Sequence, residues 1–95
     1  MGAGFEPLRG ALQVEFAFYR VRPSGHKVGR NGPNKGWREH PFPTSRPDLL
    51  KQARAIEDAL NGVLYHDDSQ IVTELLSKRW GEAPGVTITI REAQP

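Results

Sequence analysis

Three aspartates in the second half of the chain have the type and spacing to do chemistry together. Asp48 opens a predicted helix, and Asp67 and Asp68 stand in a polar turn soon after that helix ends. Carboxylate oxygens are the ligands that magnesium prefers, so all three residues are candidate metal ligands. A purely structural interpretation is also available, because an Asp near a helix start stabilises it by about 0.3 to 1 kcal/mol without any metal. In that interpretation Asp48 caps the helix, and Asp67 and Asp68 form a solvated turn.

Local geometry leaves open whether Asp48 and Asp68 meet. The predicted helix is about 20 Å long at 1.5 Å per residue, so the two carboxylates begin far apart. If the following strand runs back along the helix, only its later residues reach the helix start. A crossing or tilted arrangement, or a partner subunit, would then be needed to bring Asp48 and Asp68 together.

Basic residues are concentrated in one segment of the chain. Between positions 20 and 46 there are seven Lys and Arg residues against Glu39 alone, a balance of +6, whereas the remaining chain carries −4. Phosphates attract cations, so this segment is a candidate contact surface for a polyanion. The alternative is a solvated basic loop without a ligand. The candidate DNA-binding residues in it are Arg20, Arg22, Lys27, Arg30, Lys35, Arg38 and Arg46.

Hydrophobic periodicity predicts the elements that must position these residues. Alternation from Leu12 to Phe18 predicts a strand with one buried face. The Gly- and Pro-rich segment that follows predicts a long, mobile, basic loop at about 21–46 without regular structure. A helix is expected over about 47–60, with Ser45 as its cap. Its apolar stripe consists of Leu49, Ala53, Ile56 and Leu60.

Two further strands are expected after the helix. An extended run begins near Gln70 and reaches about Trp80, and Val86, Ile88 and Ile90 alternate with polar residues in a final strand. The order strand, long loop, helix, strand, strand predicts an α/β (α+β) fold, in which one main helix packs on a small sheet of about three strands. We expect a single domain over 1–95.

Composition excludes some classes of protein. There is no cysteine, so neither a disulfide framework nor a thiolate zinc site is available. No stretch approaches the roughly 20 apolar residues that a membrane span needs, so we expect a cytoplasmic protein without a membrane partner. A domain of this length buries only about 60 to 65 per cent of its unfolded surface, which favours additional burial in a homodimer.

Ordered sequence motifs in the second half resemble those of a known family. The runs are Arg46-Pro47-Asp48-Leu49, then Ala59-Leu60-Asn61-Gly62-Val63, Tyr65, and Asp67-Asp68-Ser69-Gln70-Ile71-Val72. In this order and spacing they resemble the RusA family of crossover-junction endonucleases. The resemblance implies a magnesium-dependent homodimer that binds four-way or branched DNA and resolves Holliday junctions in recombination and repair.

The resemblance also implies roles for particular residues. Asp48 matches the first metal-binding Asp, and Asp68 matches the catalytic Asp of the Asp-Asp pair. Asp67 is a weaker metal candidate. Arg54 stands where the family has a catalytic Lys; Arg retains the charge but not a tunable pKa. Lys51 replaces an Asn and adds a DNA-binding cation.

Departures from the family pattern give a second hypothesis. Leu50 occupies the position of the second metal-binding Asp and cannot coordinate magnesium. Family members also carry a further strand and helix before the equivalent of Leu12. The chain is therefore either an active short member, a fragment, or a catalytically impaired protein that binds branched DNA.

Other residues with chemical potential have ordinary alternatives. His66 adjoins Asp67 and could bind a metal or carry a proton, but a histidine in a turn is more often merely exposed. Trp37, among basic residues, could stack on an unpaired base, or it could anchor the loop on the core.

Overall fold

The central element of the fold is the strand β1, Leu12–Arg20. The computed structural model describes residues 6–95, so the first five positions of the expected single domain lie outside the described residues. Strand β1 pairs in parallel with β4, Ile71–Trp80, and antiparallel with β5, Gly85–Glu92, to give a three-stranded sheet of order β4-β1-β5. The predicted α+β class, with one main helix on a small sheet, is confirmed.

The main helix α2, Leu49–Leu60, packs its apolar stripe on one face of this sheet. Val14, Phe16 and Phe18 alternate along β1 toward the helix and are buried against Ala53. Burial of each large side chain contributes about 1.5 to 3 kcal/mol, so this contact defines the core. The rest of the predicted stripe, Leu49, Ile56 and Leu60, packs around it half-buried.

The predicted helix start was wrong by two residues. Asp48, not Ser45, is the N-cap, and its carboxylate accepts from the backbone N–H of Lys51 at 2.9 Å. The carbonyl oxygens of Ser45 and Pro47 accept instead from Lys78 Nζ, at 2.7 and 3.2 Å. Tertiary contacts therefore hold the segment before Asp48 in a non-helical course.

The segment between β1 and α2 contains more regular structure than its composition predicts. A small hairpin joins β2, Val28–Gly29, to β3, Gly32–Pro33, and a short helix α1 covers Lys35–Glu39. The side chain of Asn34 caps α1 at Trp37 N and also donates to the carbonyl of Gly25. One side chain thus links the start of α1 to the turn before the hairpin, in addition to the backbone hydrogen bonds of the segment.

A turn stabilised by side chains links α2 to β4. Tyr65 is fully buried, donates through its hydroxyl to the carbonyl of Glu57 at 3.2 Å, and has its pKa raised to about 12, chiefly by burial. A single 3₁₀ turn, Asp68–Gln70, then leads into β4. Across residues 6–95, no helix combines the length and apolar character that a membrane crossing needs.

Candidate active site at the start of the main helix

Asp48 lies in an open cleft with two cations on the same helix face. The cleft measures about 410 Å³ and is lined by Asp48, Leu49, Leu50, Lys51 and Arg54. A second groove, also lined by Asp48, includes Arg46, Pro47 and Lys51. Helix α2 brings Asp48, Lys51 and Arg54 together because residues three positions apart share a face of a helix. Lys51 and Arg54 can attract a phosphate to this cleft, which would place it near the Asp48 carboxylate.

The segment that carries Asp48 is fixed by the far ends of two strands. Arg20, at the end of β1, donates through Nη1 to Ser45 Oγ at 2.6 Å and to the carbonyl of Arg46 at 2.8 Å. Lys78 reaches the same segment from β4. The predicted DNA-binding cation Arg20 is therefore engaged within the protein, and Lys78 is a positioning residue that the sequence motifs did not identify.

Asp67 is used to build the turn. Its carboxylate accepts from the backbone N–H of Ser69 at 3.3 Å, and Gln70 closes a reciprocal capping box through Oε1, which accepts from Asp67 N at 2.9 Å. The amide of Gln70 also donates to the carbonyls of Leu8 and Gly10. The backbone hydrogen bond from Ser69 and a side-chain hydrogen bond with Asp68 lower the pKa of Asp67. These contacts explain the Asp-x-x-Gln part of the motif without a metal.

Asp68 lies in an acidic environment at the opposite end of α2. The hydrogen bond with Asp67 raises its pKa, with smaller contributions from desolvation and from the charges of Asp67, Glu57 and Asp58. Glu57 in turn has a pKa raised to about 7, first by a hydrogen bond with Glu74 and then by desolvation. Glu74 is the one acidic residue on β4, and it pairs with Val14, whose side chain faces the helix. An acidic residue at a helix-facing position is therefore the sequence feature that could have predicted this cluster.

Within one chain the structure does not bring Asp48 and Asp68 together. Asp48 precedes and Asp68 follows a helix of 12 residues, a length of about 18 Å at 1.5 Å per residue. The contact of Lys78 with Pro47 shows that β4 runs back along the helix, so its beginning lies away from the helix start. Two carboxylate oxygens on one magnesium ion lie at most about 4.2 Å apart, given bonds near 2.1 Å.

The donor set therefore does not fit magnesium within a single chain. Over residues 6–95, no three or more His, Asp and Glu residues are grouped so that they could hold a metal ion. Leu50, which the motif resemblance aligns with a metal-binding Asp, lines the Asp48 cleft and is 73% exposed. Any site shared by Asp48 and Asp68 requires a second copy of the chain.

The remaining basic candidates lie on the hairpin and α1. Lys35 forms an ion pair with Glu39 at 3.8 Å on the exposed surface, and Arg38 donates to the carbonyl of Pro33 at 2.6 Å. Lys27 and Arg30 are exposed on the hairpin. Arg22 differs from these, because its guanidinium packs against Trp37. His66 is an exposed turn residue whose backbone N–H donates to Gln70.

A three-stranded sheet with one crossover helix, together with an aspartate beside two cations at the helix start, defines a small α+β protein with a candidate phosphate-binding cleft. Comparison with known proteins gives the family. A family model described as Endodeoxyribonuclease RusA matches residues 1–91, so the chain belongs to the RusA family, whose members are Holliday-junction-resolving endonucleases. The predicted family is confirmed.

One relative illustrates the extent of the match. The chain is 32% identical over 85 residues to a protein described as "Uncharacterized protein YqaN" from Bacillus subtilis (strain 168), an alignment that covers 90% of this chain. The chain spans about 60% of the length of that relative. No solved structure matches the chain.

Proposed function

We propose that this chain is a structure-selective endodeoxyribonuclease that cuts four-way or otherwise branched DNA in recombination and repair. The observation that carries the proposal is the position of Asp48. It opens α2 in a cleft beside Lys51 and Arg54. By the resemblance of its motif, it also matches the family's first metal-binding Asp. The cations hold a backbone phosphate in this cleft, and the carboxylate approaches it from the helix start.

The cations have separate tasks in this proposal. Arg54 can bind two oxygens of one phosphate through its planar guanidinium, whereas Lys51 acts as a point charge. Arg54 therefore binds and orients the phosphate and does not act as a general acid or base. Magnesium, the cofactor expected for the family, would supply charge stabilisation at the phosphate and a water of lowered pKa.

We further propose that the active form is a homodimer in which Asp48 of one chain faces Asp68 of the other. Two observations support this arrangement. The two carboxylates lie at opposite ends of α2 within one chain. In addition, Val86 and Ile88 of β5 pair with Phe18 and Phe16, on the helix-covered face of the sheet, yet remain 36% and 37% exposed. A second copy would cover this apolar strip.

A labelled four-way junction with magnesium tests the activity. Paired nicks are expected from the native chain and none from Asp68→Asn. Absence of nicking by both the native chain and a Leu50→Asp variant would exclude the nuclease.

Mixing two inactive variants tests the shared site. In a heterodimer of Asp48→Asn and Asp68→Asn chains, one of the two proposed composite sites keeps both native carboxylates, so mixing should restore single nicks. If both carboxylates acted within one chain, every site in the mixture would lack one of them and no activity would return.

A second candidate function is binding of branched DNA without cleavage. The exposed apolar side chain of Leu50 in the cleft favours it. In that case log affinity should fall steeply with log salt while magnesium has little effect, because the contacts are phosphate contacts. Rapid cutting by the purified native chain would exclude this candidate.

A further inference from the structure

A second concave site lies between the end of β4 and the segment before α2. The cavity measures about 580 Å³, and its lining includes Arg22, Trp37, Phe42, Arg79 and Trp80. The guanidinium of Arg22 lies 3.9 Å from the ring centroid of Trp37 and 5.1 Å from that of Trp80. The two tryptophans of the chain therefore converge on one cation, although they are 43 positions apart in sequence.

Polar contacts hold the tryptophans in place. Trp80 Nε1 donates to the carbonyl of His40 at 2.7 Å, and Arg22 donates to the carbonyl of Trp37 at 3.4 Å. The rings of His26 and His40 stack at 4.9 Å, and His26 meets Trp80 edge-on at 5.6 Å. Burial, followed by the charges of His40 and Arg22, lowers the pKa of His26, which favours the neutral ring in this stack. These contacts fix the aromatic side chains that line the cavity, so the site is preformed.

The charges of the cavity restrict what it can bind. Arg22 already lies against both indoles, and a second cation there would be repelled, so a cationic ligand is disfavoured. Arg22 and Arg79 favour an anion near the rim, while Phe42 offers an aromatic side chain that is 64% exposed. Glu82 also lines the cavity, and a carboxylate there can accept a hydrogen bond from a ring N–H or an amino group, one of which every base carries. A planar, neutral ring joined to a phosphate satisfies all of these conditions.

We propose that this cavity receives an unstacked nucleobase from a DNA strand opened at the branch point, with the adjoining phosphate held by Arg22 and Arg79. The proposal deepens the proposed function, since it assigns branch recognition to a site separate from the Asp48 cleft. Bases stack on aromatic side chains whatever their identity, and paired duplex offers no free base face. The cavity therefore distinguishes open strands from duplex without reading sequence.

Intrinsic fluorescence gives a direct test, because both tryptophans of the chain line this cavity. The native chain, at low salt and with a chelator so that no cutting occurs, is titrated with a short oligothymidylate and with a matched duplex. The oligothymidylate should quench the emission, and the duplex should change it little. Trp37→Ala and Phe42→Ala should each weaken oligothymidylate binding about tenfold, the loss expected when one base-stacking partner is removed.

Two controls separate stacking from charge and from folding. Trp37→Phe keeps an aromatic face and should retain most of the affinity. Lys35→Gln should weaken oligothymidylate and duplex binding alike. Phe42 is exposed, so Phe42→Ala remains informative if Trp37→Ala fails to fold.

Unchanged emission on saturation with oligothymidylate, together with native affinity in Phe42→Ala, would overturn the proposal. So would quenching by an apolar peptide but not by the oligonucleotide, which would assign the cavity to a protein partner. Junction cutting is measured separately. A chain that cuts without quenching refutes only the base site, and one that quenches without cutting refutes only the nuclease.

Discussion

Lys78 Nζ lies 2.7 Å from the carbonyl oxygen of Ser45, so the second half of β4 holds the segment that immediately precedes Asp48. Arg20 binds the side chain of the same serine from the end of β1. These strands are neighbours in parallel register, with Phe18 opposite Lys78 and Arg20 opposite Trp80. The position of the candidate active site is thus set by the sheet as much as by the helix that follows it.

Replacing Lys78 with Met keeps the aliphatic stem and removes the ammonium. Two hydrogen bonds from a charged donor are lost, and because the site is partly solvated we expect a destabilisation of about 1 kcal/mol, measured by urea unfolding. Junction affinity should fall as well, because the Asp48 segment loses one of its two anchors. Lys27→Met is the matched control for stability. Equal unfolding midpoints for Lys78→Met and the native chain would show that this contact does not hold the segment.

Two substitutions of Asp48 separate its capping role from its proposed catalytic role. Asn caps helices as well as Asp does, so Asp48→Asn should change the free energy of unfolding by only a few tenths of a kcal/mol, whereas Asp48→Ala should lower it by about 1 kcal/mol. If the carboxylate takes part in cutting, both variants lose activity. Native cutting rates in Asp48→Asn would mean that Asp48 is only a cap.

The sequence predicted the elements that a periodic pattern of neighbouring apolar residues defines. Alternation along Leu12 to Phe18 and the stripe from Leu49 to Leu60 gave the central strand and the helix, because burial on one face imposes those periods. Helix geometry explains why Asp48, Lys51 and Arg54, each singled out from the sequence, line one cleft. These features depend on neighbours in sequence or on a single helix.

Features that depend on distant residues were missed. The start of α2 at Asp48 instead of Ser45 accompanies contacts from Lys78 to the carbonyls of Ser45 and Pro47, and the cap of α1 uses the side chain of Asn34. The pairing of Trp80 with Trp37 across Arg22 required the parallel register of β1 with β4. Trp80 follows Arg79, so it has the same pattern of an aromatic residue beside a basic one that singled out Trp37. It was overlooked because it lies at the end of a predicted strand.

Stability should depend on pH through Glu57. Its pKa in the folded protein is about 7, against an ordinary value of 4.5, because it shares a hydrogen bond with Glu74 and is partly desolvated. A raised carboxyl pKa stabilises the fold at low pH, and this contribution is lost as the pH rises from 4.5 through 7. We therefore expect Glu57→Gln to stabilise the protein by on the order of 1 kcal/mol at pH 8, after allowance for solvent screening, and by little at pH 4.5.

Denaturant unfolding at the two pH values measures this difference. Glu74→Gln should give a pH-dependent gain of the same sign, since either substitution leaves a single carboxylate where two face each other at pH 8. A gain of equal size at pH 4.5 and pH 8 would mean that the two carboxyls do not interact in solution.

The proposed dimer makes a prediction about the two faces of β5. Ile88 lies on the helix-covered face of the sheet and is 37% exposed, whereas the neighbouring Thr87 points to the opposite face and is also exposed. Burying a Lys without a partner in an apolar interface is costly, so Ile88→Lys should convert the dimer to a monomer in sedimentation, and Thr87→Lys should leave it dimeric. Because the proposed site takes Asp48 and Asp68 from different chains, Ile88→Lys should also abolish junction cutting while the monomer stays folded. A cutting-competent Ile88→Lys monomer would contradict both the interface and the shared site.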